Sequence, residues 1–219
     1  MKKICVIPAY NEAKNIGKVV TSLKRLVDEV VVVDDHSRDN TALLAAQSGA
    51  SVIRHRINRG QGAALQTGDE YALNAGADII IHFDGDGQFL AEDIPAMISP
   101  LEQGQADIVF GSRFLSKRSN LPRLKRWLIM PLGRIVNYFF GVTTSDPQNG
   151  FRAMSRRAAM AIEISNRGMA HCSEILYKSF KNKLRIKEVP ITVIYDEFGQ
   201  GFSGGLRIVK DLILQKLLN

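Results

Sequence analysis

Two carboxylates spaced two residues apart, Asp84 and Asp86, close the run Ile79-Ile80-Ile81-His82-Phe83-Asp84-Gly85-Asp86-Gly87-Gln88. An apolar run of this length reads as a strand buried between layers, so its carboxyl end delivers both acids to the rim of a sheet. Side by side they repel each other unless a proton or a cation lies between them, and the glycines at 85 and 87 let the backbone turn around such a guest. A divalent metal suits the pair. With only the amide of Gln88 nearby as a further oxygen donor, the metal shell needs donors from a substrate, as magnesium sites finished by phosphates do.

The elements that must position these acids follow from hydrophobic periodicity. Apolar β-branched runs at 4–7, 30–33, 52–53, 79–83 and 108–110 alternate with stretches of helical spacing at 16–27, 41–48, 63–74 and 94–101. This order predicts an α/β fold, a mostly parallel central sheet with helices on both faces. Further on, 151–154 reads as a strand, 156–162 and 173–181 as helices, and 186–195 as extended structure interrupted by Pro190. Glycines at 199, 201, 204 and 205 make a loop suited to closing over a ligand, and 206–219 reads as an amphipathic helix.

In a parallel sheet the successive strand ends share one edge. Here they carry Pro8-Ala9-Tyr10-Asn11-Glu12, Asp34-Asp35-His36-Ser37, the stretch from His55 to Gly62, and Asp84-Gly85-Asp86. A tyrosine face, carboxylates that accept from base and ribose donors, and glycines that permit close approach could together recognise a nucleotide. Each signal alone is weak: Asp39 to Thr41 would cap a helix, and Gly60 and Gly62 would make a turn. Their coincidence at four consecutive strand ends carries the reading.

Other motifs fail. Phe89 and Pro95 stand where a calcium-binding EF-hand needs glycine and glutamate, and Gly60-Gln61-Gly62 lacks the lysine of a P-loop. The four histidines have no metal-ligand spacing, and the two cysteines, Cys5 and Cys172, read as buried thiols.

The 219 residues, 45% of them hydrophobic, are enough for one sizeable core. The net charge of +7 is concentrated. No acidic residue lies between Asp107 and Asp146, whereas Arg113, Lys117, Arg118, Arg123, Lys125, Arg126 and Arg134 all do. Aromatic and aliphatic residues interleave with them through Trp127 and Tyr138-Phe139-Phe140, so the segment is either a basic amphipathic helix on an anionic membrane or a solvated surface helix. No signal peptide is visible and the 127–142 stretch, broken by Arg134 and Asn137, is too short to span a bilayer. A cytoplasmic protein is expected.

Six segments in order resemble family 2 glycosyltransferases of the GT-A fold, and among them the dolichyl-phosphate mannose synthase-like enzymes. They are Pro8-Ala9-Tyr10-Asn11-Glu12, Val31 to Ser37, Arg59-Gly60-Gln61-Gly62, Asp84 to Gln88, Gly111-Ser112-Arg113-Phe114 and Asp146 to Arg152. The resemblance covers nearly the whole chain. It implies a single GT-A domain over 1–219, with a nucleotide-sugar-binding half at 1–111, an acceptor-binding half at 112–205 and a C-terminal helix at 206–219.

Carried over residue by residue, the resemblance implies that Pro8, Tyr10, Glu12 and Asp35 line the base and ribose pocket of a nucleotide-sugar donor. Asp84, Asp86 and Gln88 would hold Mg2+ or Mn2+ against its diphosphate, and Arg113 and Arg126 would engage the acceptor phosphate or the diphosphate. A polyprenyl-phosphate acceptor is already an anion and needs positioning more than a base; a hydroxyl acceptor needs a base, for which Asp146 is the candidate.

The chain departs from relatives in that family. It lacks the Gln-x-x-Arg-Trp of processive members, no transmembrane extension of the kind many lipid-phosphate members carry is expected of it, and residues 195–201 are acidic where a basic residue is common. The resulting expectation is an inverting, non-processive hexosyltransferase of the GDP-mannose or UDP-glucose type. It would be peripheral at the cytosolic membrane face, with a membrane-protein partner or homodimer possible and no nucleic acid involved. The alternatives are a soluble transferase acting on a hydroxyl of a cell-envelope glycan, an Asp-dependent phosphohydrolase, and a silent nucleotide-binding partner of a membrane protein.

Overall fold

The computed structural model describes residues 1–115, 144–168 and 170–194. Arg126 and the basic segment around it, the glycine-rich loop and the terminal helix expected over 206–219 lie outside the described residues.

Seven strands form one sheet among the described residues: β1 (Lys3–Ala9), β2 (Glu29–Asp34), β3 (Ser51–Arg54), β4 (Ile79–His82), β5 (Ile108–Ser112), β6 (Arg152–Ser155) and β7 (Ile186–Pro190). Their spatial order is β3-β2-β1-β4-β6-β5-β7. All ladders are parallel except the two made by β6, which runs antiparallel to β4 and β5. Among the described residues six α-helices accompany them, besides a single 3-10 turn at Ala91–Asp93: α1 (Ile16–Leu23), α2 (Thr41–Gln47), α3 (Gln61–Asn74), α4 (Ile94–Glu102), α5 (Arg156–Ala161) and α6 (His171–Lys181).

The strands are apolar on both faces because helices cover both, and successive residues serve opposite cores. Cys5, Ile7, Val30, Val32, Ile79 and Ile81 pack with α1, α2 and α4. Ile4, Val6, Val31, Val33 and Ile80 pack with α3, α5 and α6. All eleven are at most 2% exposed, so a one-residue slip of any central strand would exchange the two cores rather than expose one.

The expected elements that fall on the described residues are present with boundaries shifted by a few residues, and two of the differences have a structural reason. Helical spacing over 16–27 overshoots, since α1 ends at Leu23 and the amides of Leu26 and Val27 fold back onto the Leu23 carbonyl while both side chains still pack on the core. The strand at 151–154 begins one residue later and lies inside the sheet between β4 and β5, a placement that hydrophobic pattern alone does not specify.

The far edge is tied by charge. Asp107, just before β5, accepts from the backbone amide of Arg185 at 2.9 Å and from its Nε at 3.0 Å and Nη2 at 2.9 Å. The Arg185 guanidinium holds the Asp107 carboxyl down at about 2. A carboxyl depressed on folding adds stability above its unfolded pKa of about 4, and that stability disappears as pH falls through 2. After allowing for the half-exposed arginine, the contribution is about 1–2 kcal/mol. Urea titrations of wild type and Asp107→Asn should differ by that amount at pH 7, and the gap should close by pH 2.

Candidate active site

The carboxyl ends of β1, β2 and β4 and the amino end of α3 surround a cavity of about 380 Å³, lined by Pro8, Ala9, Tyr10, Glu12, Asp35, Asn58, Gly60, Gln61, Ala64, Asp84, Gly85 and Asp86. The fold therefore brings together six of the residues nominated from sequence: Pro8, Tyr10, Glu12, Asp35, Asp84 and Asp86. A larger, shallower groove of about 850 Å³ runs along α1 and α2 past Lys14, Lys18 and Leu44, and it contains none of them.

The first wall is the loop after β1. Asn11 adopts a positive φ of 58°, a conformation asparagine tolerates better than most residues. The loop is clipped to the one after β2: the Asn11 amide donates to Ser37 Oγ at 2.9 Å, the Arg38 amide to Asn11 Oδ1 at 2.8 Å, and the Glu12 amide to Thr41 Oγ1 at 2.8 Å. Asp39 accepts from the Thr41 amide at 3.0 Å, the capping role expected of it. Tyr10 is left 44% exposed, with a ring face available for stacking.

The second wall is residues 55–62. Asp35 accepts from His55 Nδ1 at 2.7 Å, the Arg59 amide at 2.8 Å and the Gly60 amide at 2.7 Å. Its carboxylate is thus engaged in shaping the wall. Gly60 has a φ of 92°, and a Cβ on Gly62 would lie 1.9 Å from the Asn166 carbonyl oxygen, so this turn presses against the 166–167 backbone where only glycine fits.

The floor is the turn after β4. Asp84 Oδ1 accepts from Gln61 Nε2 at 3.2 Å, and Asp86 Oδ1 accepts from the Gln88 amide at 2.9 Å. Gln88 itself is not among the cavity's lining residues. Gly150 admits the acid from the other side, since a Cβ there would be 2.6 Å from Asp84 Oδ2. Burial, then the Asp86 charge, push the Asp84 carboxyl up to about 7. Asp86 is raised by burial, and Glu12 is raised by burial and by Asp86. Two acids raised by the charge of a third, which burial raises in turn, are short of positive charge, and hard oxygen donors suit Mg2+ or Mn2+. Among the described residues no group of three His, Cys, Asp or Glu could hold a metal unaided, so a metal at Asp84 and Asp86 would complete its shell from a ligand.

Beyond β5, Arg113 and Asp146 form a two-pronged pair. Arg113 Nε donates to Asp146 Oδ2 and Nη2 to Oδ1, each at 2.6 Å, and the Arg113 amide adds 3.1 Å to Oδ2. Asn149 Nδ2 also donates to Oδ2 at 3.3 Å.

Sequence reasoning gave no individual role to Gln61, His55 or Arg152. All three lie within quoted segments, but nothing in a motif says that Gln61 reaches Asp84. Arg152 is fully buried; its Nη2 donates to the Asn149 carbonyl at 2.6 Å and Cys172 Sγ at 3.2 Å, while Nε and Nη1 have no hydrogen-bond partner among the described residues. Burial alone would raise the Cys172 thiol, yet His171 and Arg152 bring it down to about 6. Both cysteines are buried, as expected.

Comparisons with known proteins agree with this architecture. The model of "Glycosyl transferase family 2" matches residues 4–162. The UDP-N-acetylglucosamine–dolichyl-phosphate N-acetylglucosaminyltransferase of Methanococcus voltae is 34% identical over 97% of this chain and 95% of its own length. The undecaprenyl-phosphate mannosyltransferase of Micrococcus luteus is 29% identical over 94% and 89%. Among solved structures, glucosyl-3-phosphoglycerate synthase of Mycobacterium tuberculosis, crystallised with Mn2+ and UDP-glucose, superimposes with a TM-score of 0.77 over 97% of this chain and 76% of that one, at 23% identity. The fold is that of a GT-A glycosyltransferase. The chain belongs to glycosyltransferase family 2.

Proposed function

We propose that the protein transfers a hexose from a nucleotide sugar to a polyprenyl phosphate, with inversion and one sugar per encounter, at the cytosolic membrane face. The base and ribose would lie against Pro8, Tyr10 and Glu12, on the wall that Asp35 shapes. Asp84 and Asp86 would hold a divalent metal, with Gln88 near the turn's far end; the bound metal would offset the negative charge gathering on the departing nucleoside diphosphate. The bond from the anomeric carbon to the diphosphate breaks with its electron pair leaving on the diphosphate. A phosphate oxygen of the acceptor forms the new bond from the opposite face.

The observation that carries the choice of acceptor is the Arg113–Asp146 pair. A carboxylate whose two oxygens are each held at 2.6 Å by the prongs of a guanidinium is committed to that pair rather than turned toward an acceptor hydroxyl, and an acceptor phosphate needs no base. The printed activities of the Methanococcus and Micrococcus relatives, on dolichyl and undecaprenyl phosphate, support the same acceptor class. Arg113 and, outside the described residues, Arg126 would steer the lipid phosphate, and the basic segment around Arg126 would rest on the membrane. Among the described residues no helix is long and apolar enough to cross one.

The test is a transfer assay with labelled UDP- and GDP-hexoses, Mn2+ or Mg2+ against chelator, and undecaprenyl phosphate against undecaprenol. Transfer to the phosphate alone is expected. Asp146→Asn should lower it about tenfold by loosening Arg113. Transfer to the alcohol, abolished in Asp146→Asn, would instead establish the hydroxyl-acceptor reading.

A further inference from the structure

We propose that His55 is a positioning residue for the donor: acting through Asp35, it latches the cavity wall formed by residues 58–60 and so sets donor affinity without touching the donor. This rests on reading the cavity as the nucleotide-sugar site.

His55 is 7% exposed and is not a lining residue of the cavity. An ionised carboxylate only accepts, so the 2.7 Å contact to Asp35 Oδ1 requires the proton on Nδ1. On the other side of the ring, Nε2 lies 3.0 Å from Thr67 Oγ1 of α3, which fixes the ring plane. Asp35 then distributes this anchorage. Its Oδ1 also takes the Arg59 amide and its Oδ2 the Gly60 amide, while its carbonyl takes Asn58 Nδ2 at 3.2 Å.

Asn58 and Gly60 line the cavity, and the next residue, Gln61, reaches Asp84 Oδ1. One buried ring thereby connects the wall of the cavity to its floor. With the Nδ1 donor gone, Asp35 keeps its two amides but can rotate on χ1 and χ2, and the wall moves with it. The binding-competent wall then makes up a smaller fraction of the ensemble, and apparent affinity falls by that fraction. The donor, once bound, meets the same reacting groups, so the loss appears in KM rather than kcat.

The test titrates the full chain with UDP and with GDP, each with Mn2+, and follows exchange of the Arg59 and Gly60 amides by NMR. In His55→Leu, or His55→Ala if the leucine variant does not fold, nucleotide affinity is expected to fall about tenfold and KM for the sugar nucleotide to rise equally. Turnover should stay within about twofold, and both amides should exchange faster. His55→Asn, whose side-chain amide can place an N–H near the Nδ1 position, should recover most of the affinity. Wild-type affinity and protection in the leucine and alanine variants would overturn the proposal, as would a loss carried by kcat or faster exchange at unchanged affinity. If the wild type bound neither nucleotide, the reading of the cavity would fall and the positioning role with it. The two failures are distinguishable, because amide exchange reports the latch whether or not a nucleotide binds.

Discussion

Replacing Asp86 by alanine is expected to lower sugar transfer roughly 10²–10³-fold while leaving the protein folded. Asp86 lines the cavity, its carboxylate raises the carboxyls of Asp84 and Glu12, and its one recorded hydrogen bond is to the local Gln88 amide. Removing it relieves repulsion and opens no hole in either core, so the melting temperature without ligands should stay the same or rise slightly. The extra thermal stabilisation that Mn2+ adds to UDP or GDP should vanish, since a ligand stabilises only in proportion to its affinity for the folded state. Transfer at wild-type rates by the alanine variant would remove the metal assignment.

Gly62→Ala should be strongly destabilising for a single added methyl, costing about 2–4 kcal/mol. The new Cβ would sit 1.9 Å from the Asn166 carbonyl oxygen, and the obstacle is backbone, which cannot rotate away as a side chain can. Relief requires the 166–167 segment or the start of α3 to move. Either shift breaks the 3.1 Å bond from the Gly62 amide to the Arg167 carbonyl and draws Gln61 away from Asp84. Donor affinity should fall along with stability. Gly168→Ala, where a Cβ meets nothing within 4 Å among the described residues, is the matched control and should be close to neutral in the same urea titration.

β1 to β4 and α1 to α4 were legible because β1, β2 and β4 are apolar and buried on both faces and the stretches between and after the strands carry apolar residues at helical spacing. Position along the chain then fixes which ends share an edge. The carboxylate pair at 84 and 86 was legible for the same reason, as polar residues directly after an apolar strand have one place to go. What escaped depends on contacts between distant segments. No local pattern reveals that β6 enters the sheet between two older neighbours, or that Gly62 needs its glycine because of the backbone at 166. The carboxylate of Asp35 was visible, but its commitment to two amides and an imidazole was not, since His55 alone carries no signal. Asp146 was likewise visible, but its two-pronged contact with Arg113, 33 residues away, was not.

The antiparallel strand β6 also constrains how the chain is made. As it leaves the ribosome, β1 to β4 meet every neighbour they need except one, and that part of the sheet can close early. β5 follows with no partner at all, because its ladders are to β6 and β7. Until residues 152–155 emerge and slot between β4 and β5, the nascent chain carries an open sheet edge and an unpaired apolar strand, both prone to pairing with other chains. The segment that closes this gap also brings Gly150 up against Asp84. Closure of the gap in the sheet and completion of the floor of the cavity are therefore a single late event in biosynthesis.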